Sequence, residues 1–182
     1  MTSEPRARPT RGTTHGKRRI GDAEHVSRKE RDLVAVARSI VDSNLYMTLG
    51  TADRDGRPWA SPVYYAASGY GDFYWVSLPD AEHSRNVEAR PQVGIVVFDT
   101  HAPIGTGQGV YMSALAQEVA EPDLARGIEV FSSRSVEHGG RPWTKRDVGP
   151  PAFHRLYHAR VTQHWVLDPD LRPGDQRTAL NL

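Results

Sequence analysis

The stretch LYMTLGTADRDGRPWASPVYYAASGYGDFYWVSL, residues 45–78, decides the fold. It contains three short runs of aromatic, β-branched and small residues: Leu45 to Ala52, Trp59 to Ala67, and Phe73 to Leu78. Between them stand Asp53-Arg54-Asp55-Gly56 and Ser68-Gly69-Tyr70-Gly71-Asp72. Asp and Ser side chains bond their own backbone in turns, and Gly accepts the left-handed region, so both separators carry turn chemistry. The pattern predicts a three-strand antiparallel meander. Just downstream, Asp80 is placed to cap a short helix that runs through Ala89 and is stopped by Pro91. Val93 to Phe98 is almost continuously apolar, which predicts a central barrel strand buried on both faces.

The same reading extends to both ends. Ser27 followed by Glu30 is a capping box, and Leu33, Val36, Ala37, Ile40 and Val41 then recur at helical spacing over about 15 residues. Towards the C-terminus, Thr100 to Gly109 is a glycine-rich connection and Val110 to Ala120 a further strand. Asp123 to Ser133 reads as a helix, with Leu124, Ile128 and Phe131 on one side. Glu137 to Pro151 holds Gly139-Gly140, Pro142, Trp143 and Pro150-Pro151, which predicts a long loop; loops of that length often line sites. Its Trp143 reads either as an ordinary packing residue or as an aromatic that closes over a bound ring. In Leu156 to Leu167 the alternation sets Tyr157, Ala159, Val161, Trp165 and Leu167 on one face, opposite His158, Arg160, Thr162 and His164. Six short antiparallel strands with flanking helices make this a mainly β (α+β) protein, a closed or split β-barrel, because closure removes exposed strand edges.

Composition bounds the rest. The chain has 182 residues, 38% hydrophobic and 25% charged, with 16 Gly, 13 Pro and no Cys. Disulfides and thiolate chemistry are excluded, and a reducing cytoplasm is the expected location. No run approaches the roughly 20 apolar residues of a membrane span, and no apolar stretch follows the basic N-terminus, so neither a span nor a signal peptide is expected. Arg6, Arg8, Arg11, Lys17, Arg18 and Arg19 stand against Glu4 alone, so residues 1–19 carry +5 and the body −4 within a net +1. The domain organisation expected is a disordered basic tail over 1–26, a barrel domain over 27–170 and a C-terminal tail over 171–182. The acidic body argues against nucleic acid as a partner.

Several site types fail on context. His154, His158 and His164 share strand parity, but no acidic residue joins that face, so no metal site is assigned. Gly105-Thr106-Gly107-Gln108-Gly109 precedes a strand rather than a helix, which excludes a dinucleotide loop or P-loop, and there is no Gly-x-Ser-x-Gly elbow. The informative stretch is Ser77-Leu78-Pro79-Asp80-Ala81-Glu82-His83-Ser84-Arg85-Asn86. A strand there feeds a helix N-terminus, whose unpaired backbone N–H groups suit an anion, with a hydroxyl, an imidazole and a guanidinium within one turn. Small or flat residues nearby, Ser61, Pro62, Val63, Tyr74 and Trp75, suit a planar ring.

Taken together, Thr48-Leu49-Gly50-Thr51, Asp55-Gly56-Arg57-Pro58, Ser61-Pro62-Val63-Tyr64, Tyr74-Trp75-Val76-Ser77, His83-Ser84-Arg85-Asn86-Val87, Val93 to Phe98 and Gln108-Gly109-Val110 resemble the pyridoxamine 5'-phosphate oxidase-like FMN-binding split barrels. The resemblance runs from about Leu33 to Asp168. It implies a homodimer holding a flavin at the subunit interface, with FMN, or alternatively a deazaflavin, as cofactor. The implied activity is hydride transfer to or from a small-molecule substrate, such as a nicotinamide nucleotide; a non-catalytic flavin- or haem-binding protein is the alternative. The implied cofactor-binding residues are Ser61, Pro62, Val63, Val76, Ser77, His83, Ser84, Arg85 and Gln108, with no catalytic acid or base assigned. Ser77 and Gln108 match family positions directly. The family's phosphate-binding Lys falls on His83, and its Arg and Lys of the second strand fall on Ser61 and Ala66, which leaves Arg85, with His83 and Ser84, to hold the phosphate. Trp165 is kept from the oxidases' substrate-binding end, but Val166-Leu167-Asp168-Pro169 follows it in place of their Arg-Leu segment.

Overall fold

The computed structural model describes residues 28–168 and 176–182. The basic segment 1–26, the Ser27 cap and residues 171–175 of the expected C-terminal tail lie outside the described residues. Helix α1 (Arg28–Ser43) buries Leu33, Ala37 and Val41, and Val36 and Ile40 pack against the same core. The apolar stripe read from the sequence is therefore the face that docks.

Strands β1 (Tyr46–Ala52) and β2 (Pro58–Tyr64) pair as a hairpin, Tyr46 opposite Tyr64 and Ala52 opposite Pro58. Its turn is tied by the Asp53 carboxylate, which accepts from the backbone N–H groups of Asp55 and Arg57. Gly56 stands at φ 87°, a region closed to most side chains. The expected meander ends there. The second run breaks at Tyr65, whose side chain is fully buried and whose hydroxyl donates to the Val41 carbonyl at 2.6 Å. Beyond the break, β3 (Ala66–Ser68) and β4 (Asp72–Ser77) form their own hairpin. β4 then pairs not with β2 but with β7 (Arg155–Leu167).

With β5 (Gln92–Phe98), β6 (Gly109–Glu118) and β8 (Arg177–Leu180), the strand order is β2-β1-β5-β6-β7-β4-β3, with β8 on β7. Among the described residues the sheet thus has eight strands rather than six. β3 is the detached end of one predicted strand, and β8 turns part of the predicted tail into sheet, with Leu180 buried. The sheet curls into a split barrel in which β2 and β4 approach without exchanging ladder bonds. No helix among the described residues is long and apolar enough to cross a membrane.

Three further expectations need correction. β5 buries Val93, Ile95 and Val97 but exposes Gly94 and Phe98, so it is central yet one-sided within the chain. Glu137 to Pro151 is not a plain loop: α3 extends over Leu124–Glu137, and α4 (Lys145–Val148) follows, opened by a capping box between Thr144 and Asp147. In β7 the register against β6 shifts from Ser113 opposite Gln163 to Ala114 opposite Val161, which leaves Thr162 as the extra residue. A one-residue bulge swaps faces. Tyr157 and Ala159 are buried before it, and His164 and Val166 after it, so Trp165 and Leu167 do not share the face of Tyr157.

That bulge yields a test. Deleting Thr162 would restore regular pairing but put one half of β7 on the wrong face, whereas Thr162→Ala keeps the count. The deletion should abolish cooperative thermal unfolding, while Thr162→Ala should melt within a few degrees of the parent, as followed by circular dichroism. Equal melting of the two variants would contradict the register.

Candidate functional site

The end of β4 passes through Leu78 and Pro79 into α2 (Glu82–Ala89). Ala81, not Asp80, is the N-cap residue, and no side chain caps the helix; the Asp80 carbonyl accepts from the Arg85 guanidinium instead. Buried Asn86 fixes the helix to the first hairpin. Its side-chain amide donates to Thr51 Oγ1 at 3.1 Å, and Thr51 in turn donates to the Trp59 carbonyl at 3.4 Å.

This anchoring presents His83 to the barrel's open seam. Its Nδ1 lies 3.1 Å from Ser61 Oγ on β2, and its Nε2 lies 2.8 Å from Ser77 Oγ on β4. The Trp59 indole N–H donates to the same Ser61 oxygen at 3.0 Å. One imidazole thus joins two strands that share no ladder hydrogen bond. Burial lowers the His83 pKa from its ordinary value, which keeps the ring neutral at neutral pH. We assign the Nε2–H tautomer. Ser61 accepts from Trp59 and gives its proton to Nδ1, Nε2–H donates to Ser77, and the Ser77 hydroxyl proton is left to serve a ligand.

The other expected residues distribute unevenly. Ser61, Ser77 and His83 come together as described. Arg85 sits on the exposed side of α2, its side chain 55% exposed and its guanidinium bonded to the Glu82 carboxylate. Ser84 points to a different, buried side of the helix. Val63 faces the main core, and Pro62 lies exposed on the opposite face of β2. Gln108 is half-buried beside Gly109, at the Phe98 end of the β5–β6 pair, whereas α2 leads into the Gln92 end. His83 itself stands nearer mid-strand, because its partner Ser61 lies opposite Leu49, which lies opposite Ile95.

Val76 lines an aromatic cleft of about 380 Å³ walled by Tyr46, Tyr64, Phe131, Trp143 and His154. The rings meet edge to face: Tyr64 with Phe131 at 5.6 Å, Phe131 with Trp143 at 5.6 Å, and Trp143 with His154 at 5.9 Å. Trp143 is seated, with the Arg141 guanidinium 4.0 Å from its ring centroid and its backbone N–H on Ser132 Oγ. It is a wall of the cleft rather than the tip of an open loop. The Tyr64 hydroxyl is buried without a hydrogen-bond partner among the described residues, and burial raises its pKa.

Sequence reasoning missed Trp59, Thr51 and Asn86. Trp59 is 50% exposed beside the seam. Its position two residues before Ser61 on a strand, which puts both side chains on one face, is the signal that marks it.

A split barrel with a polar cluster at the end of β4 defines a class, and comparison with known proteins places the chain within it. The family model described as pyridoxamine 5'-phosphate oxidase matches residues 33–164, and the chain belongs to that family. No curated protein matches it. Among solved structures, a heme binding protein from Mycobacterium smegmatis is 19% identical with a TM-score of 0.61, covering 79% of this chain and 55% of that one. The chain thus spans about half the length of that protein. An F420 reductase is 20% identical with a TM-score of 0.52, covering 70% of this chain and 94% of that one. An FAD-binding protein from Mesorhizobium loti is 21% identical with a TM-score of 0.55, covering 71% and 87%. These likenesses show the fold.

The half-buried imidazole makes stability depend on pH. In the unfolded chain a His titrates near 6.5. In the folded chain His83 and the buried His164 both titrate lower. Below about pH 6.5 the unfolded state binds more protons, so stability falls as pH falls. His83→Ala should therefore melt below the parent at pH 8, with the gap narrowing towards pH 5. A gap independent of pH would contradict a neutral bridging imidazole.

Proposed function

We infer that the seam between β2 and β4 holds a flavin-type cofactor and that the protein is a flavin-dependent oxidoreductase acting on a small molecule. The observation that carries this reading is His83 held between Ser61 and Ser77 at the start of α2. The donor set fits the phosphate end of FMN: a Ser77 hydroxyl proton, oriented by the His83 imidazole, and backbone N–H groups of a helix N-terminus. Exposed Trp59 and the aromatic cleft reached through Val76 offer surfaces for a planar ring and for a flat substrate. When bound, the flavin supplies the hydride chemistry; the chain binds, orients and excludes water.

Charge compensation falls to Arg85. Its contact with Glu82 is an exposed ion pair within one helix, of a kind that contributes at most about 1 kcal/mol. A charge-assisted bond to a phosphate contributes roughly 1.5 to 3 kcal/mol, so a dianion at the helix end outcompetes Glu82. A deazaflavin is the second reading, favoured by the neutral state of His83, which leaves a phosphate dianion less compensated at neutral pH.

The cofactor groove is completed by a second copy of the chain. One observation supports this: the outer face of β5 is uncovered, with Phe98 45% exposed. A homodimer that buries this face would bring the partner's loop 100–108 to the seam.

One set of measurements tests the reading. The purified full chain is titrated with FMN, a deazaflavin and haemin by absorbance, and the loaded protein is sedimented. FMN should bind to a dimer, and Arg85→Ala should weaken it by about one to two orders of magnitude without changing the melting temperature. Binding of haemin alone, a monomer at micromolar concentration, or unchanged FMN affinity in Arg85→Ala would overturn it.

A further inference from the structure

A second cavity, of about 600 Å³, lies against α2 on a different side from His83. Its walls are Pro79, Val87, Pro91 and Ala116, and its polar groups come from Ser84, Tyr157, Glu88, Glu118, Gln117 and Arg155. Ser84 is only 3% exposed, and its Oγ is buried without a hydrogen-bond partner. The Tyr157 phenol senses that hydroxyl, which lowers its pKa against the larger raising effect of burial, yet no hydrogen bond of good geometry joins the two. A buried hydroxyl with nothing to bond costs free energy unless something else fills the space.

The rim is acidic. Glu118 has Arg155 Nε at 3.6 Å, while the Arg155 NH1 group is occupied by the carbonyls of Ala152 and His154. Glu88 forms no ion pair among the described residues and is exposed at the mouth. Two carboxylates against one engaged guanidinium leave a net negative rim, shared with exposed Pro79 and Pro91, above buried Val87 and Ala116, the buried Ser84 hydroxyl and the Tyr157 phenol. This order, charge outside, apolar body, hydroxyls at the floor, describes its complement.

We propose that this cavity binds a small hydroxylated arylalkylamine, with its ammonium at Glu88 and Glu118, its ring against Val87 and Ala116, and its hydroxyl on Ser84. The ring fills a throat whose size falls within the range of small-molecule sites. The ligand hydroxyl accepts from or donates to Ser84 Oγ and removes the unsatisfied group. The ammonium meets the two carboxylates at the exposed mouth, where the attraction is screened by solvent and contributes selectivity of charge sign more than affinity. The site uses neither His83 nor Arg85, so it stands whether or not a flavin occupies the seam.

Calorimetric titration of the full chain with three ligands decides the matter. Tyramine carries all three features, phenethylamine lacks the hydroxyl, and 4-hydroxyphenylacetate reverses the charge. Tyramine should bind about fivefold tighter than phenethylamine, the change expected of one hydrogen bond, and 4-hydroxyphenylacetate should not bind. Ser84→Ala, which removes an unsatisfied group and favours helix, should stay folded and erase the difference between the two amines. Glu88→Gln, at the exposed mouth, should weaken both amines several-fold. Absence of tyramine binding to folded protein, equal binding of the acid, or a tyramine preference that survives Ser84→Ala would overturn the proposal.

Discussion

A curled antiparallel sheet that does not close leaves two strands facing each other with unmatched edges, and here that gap is spanned by a single imidazole. β2 and β4 belong to opposite parts of the strand order, and His83 holds a serine from each. Everything else at the site follows from having a polar bridge where a ladder would otherwise run. The bridge is short and partly buried, so its protonation state is set by desolvation rather than by a neighbouring charge. Its hydroxyl partners are neutral, so the groove presents hydrogen-bond capacity first and charge only at its outer lip, through Arg85.

The bridge depends on how α2 is held. Nothing caps the helix with a side chain, and eight residues are too few to be stable by propensity alone. Buried Asn86, bonded to Thr51, and Val87 in the main core fix it instead. The same docking sends Ser84 towards Tyr157 and away from the seam, which separates two successive residues into two different cavities. A helix turns about 100° per residue, so adjacent side chains are poor companions in one site. Reading His83 and Ser84 as one cluster overlooked that rotation.

Much of the architecture was legible because hydrophobic periodicity and turn chemistry are local. The stripe of α1, the Asp53 to Gly56 turn and the short helix before Pro91 all read directly. Long-range facts did not. Tyr65 breaks a strand because a carbonyl 24 residues earlier accepts its hydroxyl, and no window around Tyr65 contains that partner. The β7 bulge is a register event between two strands and leaves no mark in the alternation of either. β8 is four residues long, below the length at which alternation carries a signal. At the site, Ser61, Ser77 and His83 were named from a resemblance and converge in the structure. Trp59 was read only as a strand residue, although its parity with Ser61 was available.

The central claim is that a neutral His83 imidazole bridges the seam and leaves the Ser77 hydroxyl proton to a ligand. The most direct measurement is the imidazole itself: nitrogen-detected NMR of the His83 side chain across pH, before and after adding FMN. The account predicts a neutral Nε2–H tautomer with a pKa below the ordinary 6.5 in the unliganded protein, rising when a phosphate binds beside it. A pKa of 6.5 or above in the unliganded protein, unmoved by FMN, would contradict it.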